Sequence, residues 1–394
     1  MRDKIIGILG PIELAEFRNY LPVGAIASDA PKGLGGTPVN SLCVSLLQRG
    51  YQITVFSLDP SVTDEVIYQG DRLRICIGPF TSKRARNFFR VERRYLRNAI
   101  AREKPDLLHA HWTYEYALSA IDSKVPLVIT AHDAPVQILL RNFIPYRIAR
   151  TFMAYMAMWR AKKVVAVSPY VSRHLRMFGF HKKSVDIIPN GIDMSLLKMG
   201  GQRDTDHHIN FASILSGWGG LKNSEVAIKA FAKLRRRIPE ARLYLIGPEH
   251  GDSEVGAEWS RRNKLEEGII FYGRRPHQDV IKMLAQKIDI LVHPSLEESF
   301  GLTLIEASAL GIPAIGGKNS GAVPWVLGDG KYGVLTDVTS VNALADAMYR
   351  LATDMKFRTE LGQRARQSVV DRFTMDVVTD RYLNIYESLA QHDA

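Results

Sequence analysis

The residues of this sequence best suited to chemistry lie between Asp289 and Pro313, where Glu298 and Glu306 stand eight positions apart. An apolar run ends at Pro294, a polar turn carries Glu297, Glu298 and Gly301, and an apolar helical pattern opens near Leu302. Glu298 therefore falls on the loop at a strand's carboxyl edge, and Glu306 little more than one turn into the helix, so both can face one pocket. Phe300, Gly301 and Leu302 sit where a helix leaves its first N–H groups unpaired, a ready seat for an anion such as a diphosphate. A carboxylate beside such a seat can accept bonds from adjacent hydroxyls. Taken alone, two glutamates at this spacing are more often a loop acid and a helix-start acid favoured by the macrodipole. The composite is less accidental: Glu-x7-Glu on a strand-to-helix turn, then Ala307-x3-Gly311-x-Pro313, then Gly316-Gly317-x2-Ser320-Gly321-Ala322-Val323.

A second group is built on histidines. His132, in Val128-Ile-Thr-Ala-His-Asp-Ala134, follows an apolar strand pattern and so sits at a carboxyl edge; a structural histidine capped by Asp133 is the plainer alternative. His109 and His111 alternate on another strand and point the same way. With Asp133 they could pass for the His-x-His cluster of a metal-dependent hydrolase, a reading that leaves Glu-x7-Glu unexplained.

Short β-branched or aliphatic runs alternate with longer helical patterns almost from end to end, which predicts parallel sheets with crossover helices. The first half offers strands at 4–9, 52–57, 72–77, 107–111, 127–130, 164–167 and 185–188; the second at 209–214, 242–246, 269–272, 288–292, 313–316 and 333–335. Between them, residues 189–206 carry Asn-Gly, Gly-Gly and a polar cluster and read as turn and linker. The expected fold class is α/β, with two Rossmann-like doubly wound domains, residues 1–188 and 207–371, facing each other across a cleft. A last helical pattern, from about 375 to 391, spaces Val377, Tyr382, Ile385, Tyr386 and Leu389 for packing.

At 394 residues, 46% hydrophobic and 24% charged, the chain suits two folded domains and no long disordered tract. No apolar run approaches membrane-spanning length and the N-terminus is too short for a signal core, so a cytoplasmic protein is expected. Cys43 and Cys76 have no metal or redox spacing and fit a reducing compartment. The net charge of +11 belongs to the first half, where residues 1–188 hold 27 Lys and Arg against 15 Asp and Glu.

The motif around Glu298 and Glu306 resembles glycosyltransferase family 4, whose members have the GT-B fold. Further matches extend the likeness over nearly the whole chain: Gly33-Leu-Gly-Gly-Thr37 is similar to the family's N-terminal glycine loop, Ile187-Ile-Pro-Asn-Gly-Ile-Asp193 to its interdomain segment, Leu243-Tyr-Leu-Ile-Gly247 and Phe271-Tyr-Gly273 to its strand ends, and Arg372-Phe-Thr374 to the start of its tail. The resemblance implies that residues 372–394 cross back to the first domain. It implies Glu306 as the ligand of the donor ribose, Glu298 as a contact to donor sugar hydroxyls, and His132 as the histidine near that sugar. Gly35, Gly36, Phe300, Gly301 and Leu302 complete the implied donor site. Relatives place Arg and Lys in a loop after the second domain's first strand; in Ser216-Gly-Trp-Gly-Gly-Leu-Lys-Asn223, Lys222 matches the Lys and Gly217 stands in place of the Arg. Either Lys222 and backbone N–H groups neutralise the leaving diphosphate, or another cation such as Arg274 contributes. The loop Gly273-Arg-Arg-Pro-His277 holds candidate contacts to the base.

The function so implied is retaining transfer of a hexose-type sugar from a UDP- or GDP-sugar to a glycan or lipid-linked glycan, in cell-surface polysaccharide biosynthesis. No cofactor and no metal are expected: Asp204-Thr-Asp206 is an Asp-x-Asp in the linker, away from the donor pocket. A sugar-nucleotide epimerase of the same fold and a noncatalytic basic membrane-surface protein are the alternatives. No RNP-like, zinc-knuckle or helix-turn-helix pattern supports nucleic acid as a partner. Between Lys83 and Arg97 seven basic residues meet one acid, with Arg86, Arg90, Arg93, Arg94 and Arg97 at helical spacing opposite Phe89, Leu96 and Ile100. The segment 144–159 mixes Arg147 and Arg150 with aromatics. Solvated and core faces of crossover helices would account for both; the sharper expectation is that the first domain rests peripherally on the anionic inner face of the cytoplasmic membrane.

Overall fold

The computed structural model describes residues 2–82, 84–141, 143–181, 183–200 and 208–391. The chain divides into an N-terminal unit, Met1–Gly191 together with Met375–Ala394, and a C-terminal unit, Ile192–Thr374. Of the expected linker, residues 201–206 lie outside the described residues, Asp204 and Asp206 among them, while Ile192 bridges Thr374 within the C-terminal unit.

The N-terminal unit is built on eight strands: β1 Ile5–Leu9, β2 Gln52–Asp59, β3 Val66–Gln69, β4 Leu73–Pro79, β5 Leu107–His111, β6 Leu127–Ala131, β7 Lys163–Ala166 and β8 Asp186–Ile187. Their order across the sheet is β3-β4-β2-β1-β5-β6-β7-β8. All neighbours are parallel except β3, which runs antiparallel to β4 at the edge. The central strands are buried nearly throughout, as near-continuous aliphatic runs require when helices cover both faces. The edge strand was not expected: Val66-Ile-Tyr-Gln69 is short, and a Gly70-Asp71 turn returns it onto β4.

The helix Met375–Gln391 belongs to this unit. It buries Met375, Val378, Tyr382, Ile385 and Tyr386, a stripe at helical spacing, with Val378 rather than Val377 turned inward. It packs on the helix Thr37–Gln48 and on β5 and β6. Arg49 binds its first turn through Asp376 at 2.9 Å and also through Asp380.

The expected continuous basic face is broken. Arg86 lies on a separate turn, Arg84–Asn87; Phe88 and Phe89 both adopt left-handed backbone, and the helix starts only at Arg90. Burial of the Phe89 ring beside Phe80 and Tyr146 overrides the helical spacing. Arg93 and Arg97 turn to Asp122, at 3.2 and 3.7 Å, leaving Arg86, Arg90 and Arg94 as the exposed cations without such a partner among the described residues.

The C-terminal unit carries β9 Asn210–Ile214, β10 Arg242–Ile246, β11 Ile269–Gly273, β12 Ile290–His293, β13 Ala314–Gly317 and β14 Val334–Thr336. The sheet is parallel, in the order β11-β10-β9-β12-β13-β14. Successive strands run outward one way from β9 and then the other way from β12. Open α/β sheets bind ligands at the carboxyl ends of strands where the order reverses. In each unit that switch lies beside the first strand: between β1 and β5, and between β9 and β12. Among the described residues no helix is long and apolar enough to cross a membrane.

Candidate active site

At the switch of the C-terminal unit, the loop after β9 supplies Lys222 and the loop after β12 supplies Glu298. Lys222 Nζ donates to Glu298 Oε1 at 2.8 Å. His293, the last residue of β12, places Nε2 3.3 Å from the same oxygen. Burial by itself would raise the Glu298 carboxyl, but the bond and charge of His293, joined by Lys222, hold it down at about 2. Glu298 is therefore a carboxylate throughout the ordinary pH range.

The loop is tied at both ends. Asn223 donates through Nδ2 to the carbonyls of Pro294 at 3.1 Å and Val338 at 2.8 Å, while Leu296 N–H donates to Leu221 O at 2.8 Å. From the other side Ala322 N–H donates to Glu298 O at 2.8 Å. A Cβ at Gly321 would lie 2.3 Å from that same carbonyl, so the Ser-Gly-Ala turn can hold Glu298 only with glycine there. Gly301, at φ 96°, caps the helix Leu302–Ala309 and lets the chain turn sharply from loop to helix.

Glu306 lies inside that helix and is only 6% exposed, deeper than a helix-start acid. His277, at the start of the helix His277–Lys287, brings Nε2 to 2.8 Å from Glu306 Oε1. Phe300 does not present its ring to a ligand. It is buried edge-on against Trp325 and Phe373, at 6.2 and 5.7 Å between centroids, so only its backbone could serve an anion at the helix start. Arg274 is exposed. At Gly217, the position that stands in place of the arginine, the loop meets an acid: Trp218 N–H donates to Glu249 Oε2 at 2.7 Å.

Gly35, Gly36 and His132 belong to the N-terminal unit. Gly36 caps the helix Thr37–Gln48 at φ 92°, and a Cβ there would lie 2.0 Å from Pro11 O. Gly35, also at positive φ, has open space around it. His132 follows β6 and is partly exposed; its ring stacks on Trp112 at 4.4 Å between centroids, and its Nε2 lies 2.9 Å from His111 Nδ1. His111 Nε2 is buried with no hydrogen-bond partner among the described residues. His109 is held at Nδ1 by the Tyr386 hydroxyl and at Nε2 by Thr130 Oγ1, both at 2.7 Å; Thr130 Oγ1 in turn lies 3.0 Å from the Tyr382 hydroxyl. Burial drives His109 and His132 down to about 3 and His111 well below its ordinary value, so all three imidazoles are neutral at pH 7. Asp133 does not cap His132. It accepts from the Tyr114 hydroxyl at 2.8 Å, and Arg150 lies over the Tyr114 ring at 3.6 Å. Among the described residues no group of three or more His, Cys, Asp or Glu could hold a metal ion.

The sequence motifs mark Glu298, Glu306, Lys222 and His132 but carry no sign of His293, although it ends the strand that delivers Glu298. His277 appeared only as a candidate base contact. The phenols of Tyr382 and Tyr386 looked like packing alone, since their spacing on a helix carries no sign of a strand histidine 277 positions away.

Comparison with known proteins matches two family models to the two halves: "Glycosyltransferase Family 4" over residues 36–196 and "Glycosyl transferases group 1" over residues 218–368. The N-acetyl-alpha-D-glucosaminyl L-malate synthase of Bacillus anthracis is 25% identical over 309 residues, covering 74% of this chain and 77% of that one. The D-inositol 3-phosphate glycosyltransferase of Corynebacterium diphtheriae is 26% identical, covering 73% and 72%. The fold matches sucrose-phosphate synthase from Thermosynechococcus elongatus with a TM-score of 0.77 at 19% identity, over 98% of this chain and 99% of that one. It also matches Anabaena HepE, crystallised with UDP and glucose, with a TM-score of 0.70 at 17% identity, over 98% and 100%.

Proposed function

This chain belongs to glycosyltransferase family 4, with the GT-B fold, and from that premise we propose that it transfers a hexose-type sugar from a UDP- or GDP-sugar to a hydroxyl acceptor with retention of the anomeric configuration. The observation that carries the reading is the Lys222–Glu298–His293 cluster at the start of the helix Leu302–Ala309, a fixed carboxylate and an ammonium beside backbone N–H groups. As the bond from anomeric carbon to phosphate oxygen breaks, negative charge grows on the diphosphate. Lys222, which has donor directions left after binding Glu298, and the N–H groups of the helix start meet that charge. Glu298 accepts from sugar hydroxyls and Glu306 from the ribose. His132, neutral at pH 7, contributes a hydrogen bond to the sugar rather than a proton.

In this reading the acceptor oxygen bonds to the anomeric carbon on the face that the diphosphate leaves, and the acceptor proton passes to the departing phosphate oxygen. No separate carboxylate base and no divalent metal take part. We place the reaction in the cytoplasm, with a glycan or lipid-linked glycan of cell-surface polysaccharide assembly as acceptor. The relatives named for malate and inositol phosphate make small hydroxyl acceptors the competing class. A thermal-shift series with UDP, GDP, ADP and their sugars identifies the donor. Incubation of that donor with glycan, lipid-linked and small acceptors, followed by NMR of the new anomeric proton, then tests transfer and retention. An inverted product, or a donor that is only epimerised, overturns the proposal.

A further inference from the structure

The helix Pro145–Arg160 is apolar on two sides. Its buried side, Met153, Ala154, Ala157 and Met158, packs into the N-terminal unit. Opposite, Ile148, Phe152, Tyr155 and Trp159 recur at steps of four, three and four, which puts them within an arc of roughly 60° on the helix. They are 44, 54, 45 and 69% exposed. One-sided burial explains an amphipathic helix; it does not explain a second apolar stripe facing water. The stripe continues beyond the helix. Phe88, itself 46% exposed, sits edge-on to Phe152 at 6.2 Å between centroids, and Phe143, just ahead of the helix, is 72% exposed.

The free charge beside this ridge is basic once Arg150, Arg160 and Lys163 are set aside with their partners Glu115, Asp122 and Asp186. Residues 134–185 contain ten Lys and Arg and no Asp or Glu. Arg86 and Arg90 flank Phe88 in sequence, Arg94 lies one turn further along its helix, and Arg141 precedes Phe143; all four are exposed. A second copy of this chain laid symmetrically on the ridge would set these arginines against each other. An anionic lipid surface pairs with them and takes up the aromatic ridge at its interface, where tryptophan and tyrosine are at home.

We propose that the ridge Ile148–Phe152–Tyr155–Trp159, with Phe88 and its flanking arginines, seats the N-terminal unit on an anionic bilayer as an interfacial, non-spanning helix. This docking does not depend on the transfer reaction proposed above, because vesicle binding and sugar transfer are read separately. The test is co-sedimentation of the full chain with phosphatidylglycerol-containing vesicles and with pure phosphatidylcholine vesicles, at low and raised salt. Binding to the former alone, weakened by salt, is expected. The double substitution Phe152→Ser with Trp159→Ser should lower the partition coefficient about a hundredfold, since two large rings no longer leave water. Arg90→Gln and Arg94→Gln should each lower it about fivefold. Circular dichroism of the double variant should match the parent, because both rings are largely exposed. Absence of binding to anionic vesicles at low salt, or equal binding by the well-folded double variant, overturns the proposal. So does a dimer in sedimentation velocity that the double substitution abolishes, which would assign the ridge to a second copy.

Discussion

At the carboxyl end of the N-terminal sheet the polar groups are neutral: His109 and His111 are buried beside phenols and a threonine, the partly exposed His132 stacks on Trp112 beside them, and desolvation pushes all three imidazoles down. At the carboxyl end of the C-terminal sheet the groups are charged, because Lys222 and His293 surround Glu298 and hold its carboxyl at about 2 despite burial. Both sites occupy a topological switch of a parallel sheet. What differs is whether a buried titratable group finds a counter-charge. Without one, burial removes the charge; with the Lys222 ammonium bonded to it, the Glu298 carboxylate keeps its charge despite burial. Under the proposed function, the first site would position by hydrogen bonds and the second would do electrostatic work.

The largest effect should come from breaking the charged site. Glu298→Gln is expected to lower turnover roughly a thousandfold, on the scale seen when a preorganised electrostatic contact is lost, while circular dichroism shows the fold intact. His132→Ala should also lower turnover more than it lowers the melting temperature. Near-normal rates in either variant would remove that residue from the active site. Because His132 is already neutral, the pH–rate profile of the parent should show no histidine step between about pH 5 and 8 assignable to it.

Glu306→Ala comes next. The proposed role of Glu306 as ribose acceptor predicts a loss of about 2 to 3 kcal/mol in nucleotide-sugar binding by calorimetry. Unchanged affinity in a folded variant would end the ribose assignment. Since Glu306 is buried against His277, a modest fall in melting temperature should accompany the loss.

A smaller effect sharpens the comparison through pH. A histidine kept neutral in the fold, with its value lowered from 6.5 to about 3, binds fewer protons than its unfolded counterpart throughout that interval. Its stabilising contribution is complete above pH 6.5 and declines as pH falls toward 3. For His109 the decline should be on the order of 1 to 2 kcal/mol between pH 6.5 and 5. Glu298, lowered from 4.5 to about 2, contributes fully above 4.5 and loses its contribution only below that. Denaturation midpoints at pH 7, 6 and 5 should therefore report the buried histidines, His174 among them, and the part that His109→Gln removes from the slope belongs to this site. A midpoint that stays constant down to pH 5 contradicts the neutral histidine string. The smallest effect expected is none at all: EDTA should leave the transfer rate unchanged, and loss of activity restored by added divalent metal would contradict metal-free charge neutralisation.

Much of the frame was legible because parallel sheets write themselves as aliphatic runs. Every strand expected from 4 to 335 has a counterpart, within a residue or two at most ends. The antiparallel edge strand Val66–Gln69 escaped because half of it faces water and it lacks a full apolar run. The arginine spacing from 86 to 97 suggested one helical face; two left-handed phenylalanines interrupt it, and only tertiary burial of Phe89 explains why. Around Glu298 the motif carried the acid and its lysine. It did not carry His293, since a histidine closing a buried strand reads like any other strand end. The bond from Tyr386 to His109 was out of reach for a different reason: it joins positions whose only relation is the fold itself.

That bond bears on how the chain is made. The histidines of β5 and β6 and the helix that covers them are separated by the entire C-terminal unit, so during synthesis residues 1–191 emerge, and residues 192–374 after them, before Tyr382 and Tyr386 exist. At a bacterial or eukaryotic elongation rate of about 5 to 20 residues per second, that interval is on the order of ten seconds or more. Until it ends, His109 lacks the hydroxyl on its Nδ1, and the helix Thr37–Gln48 lacks the helix that packs on it and the Thr379 hydroxyl that bonds Ser45. A chain cut short before Met375 would lack both the hydroxyl that pairs with His109 Nδ1 and the helix that packs on Thr37–Gln48 and on β5 and β6.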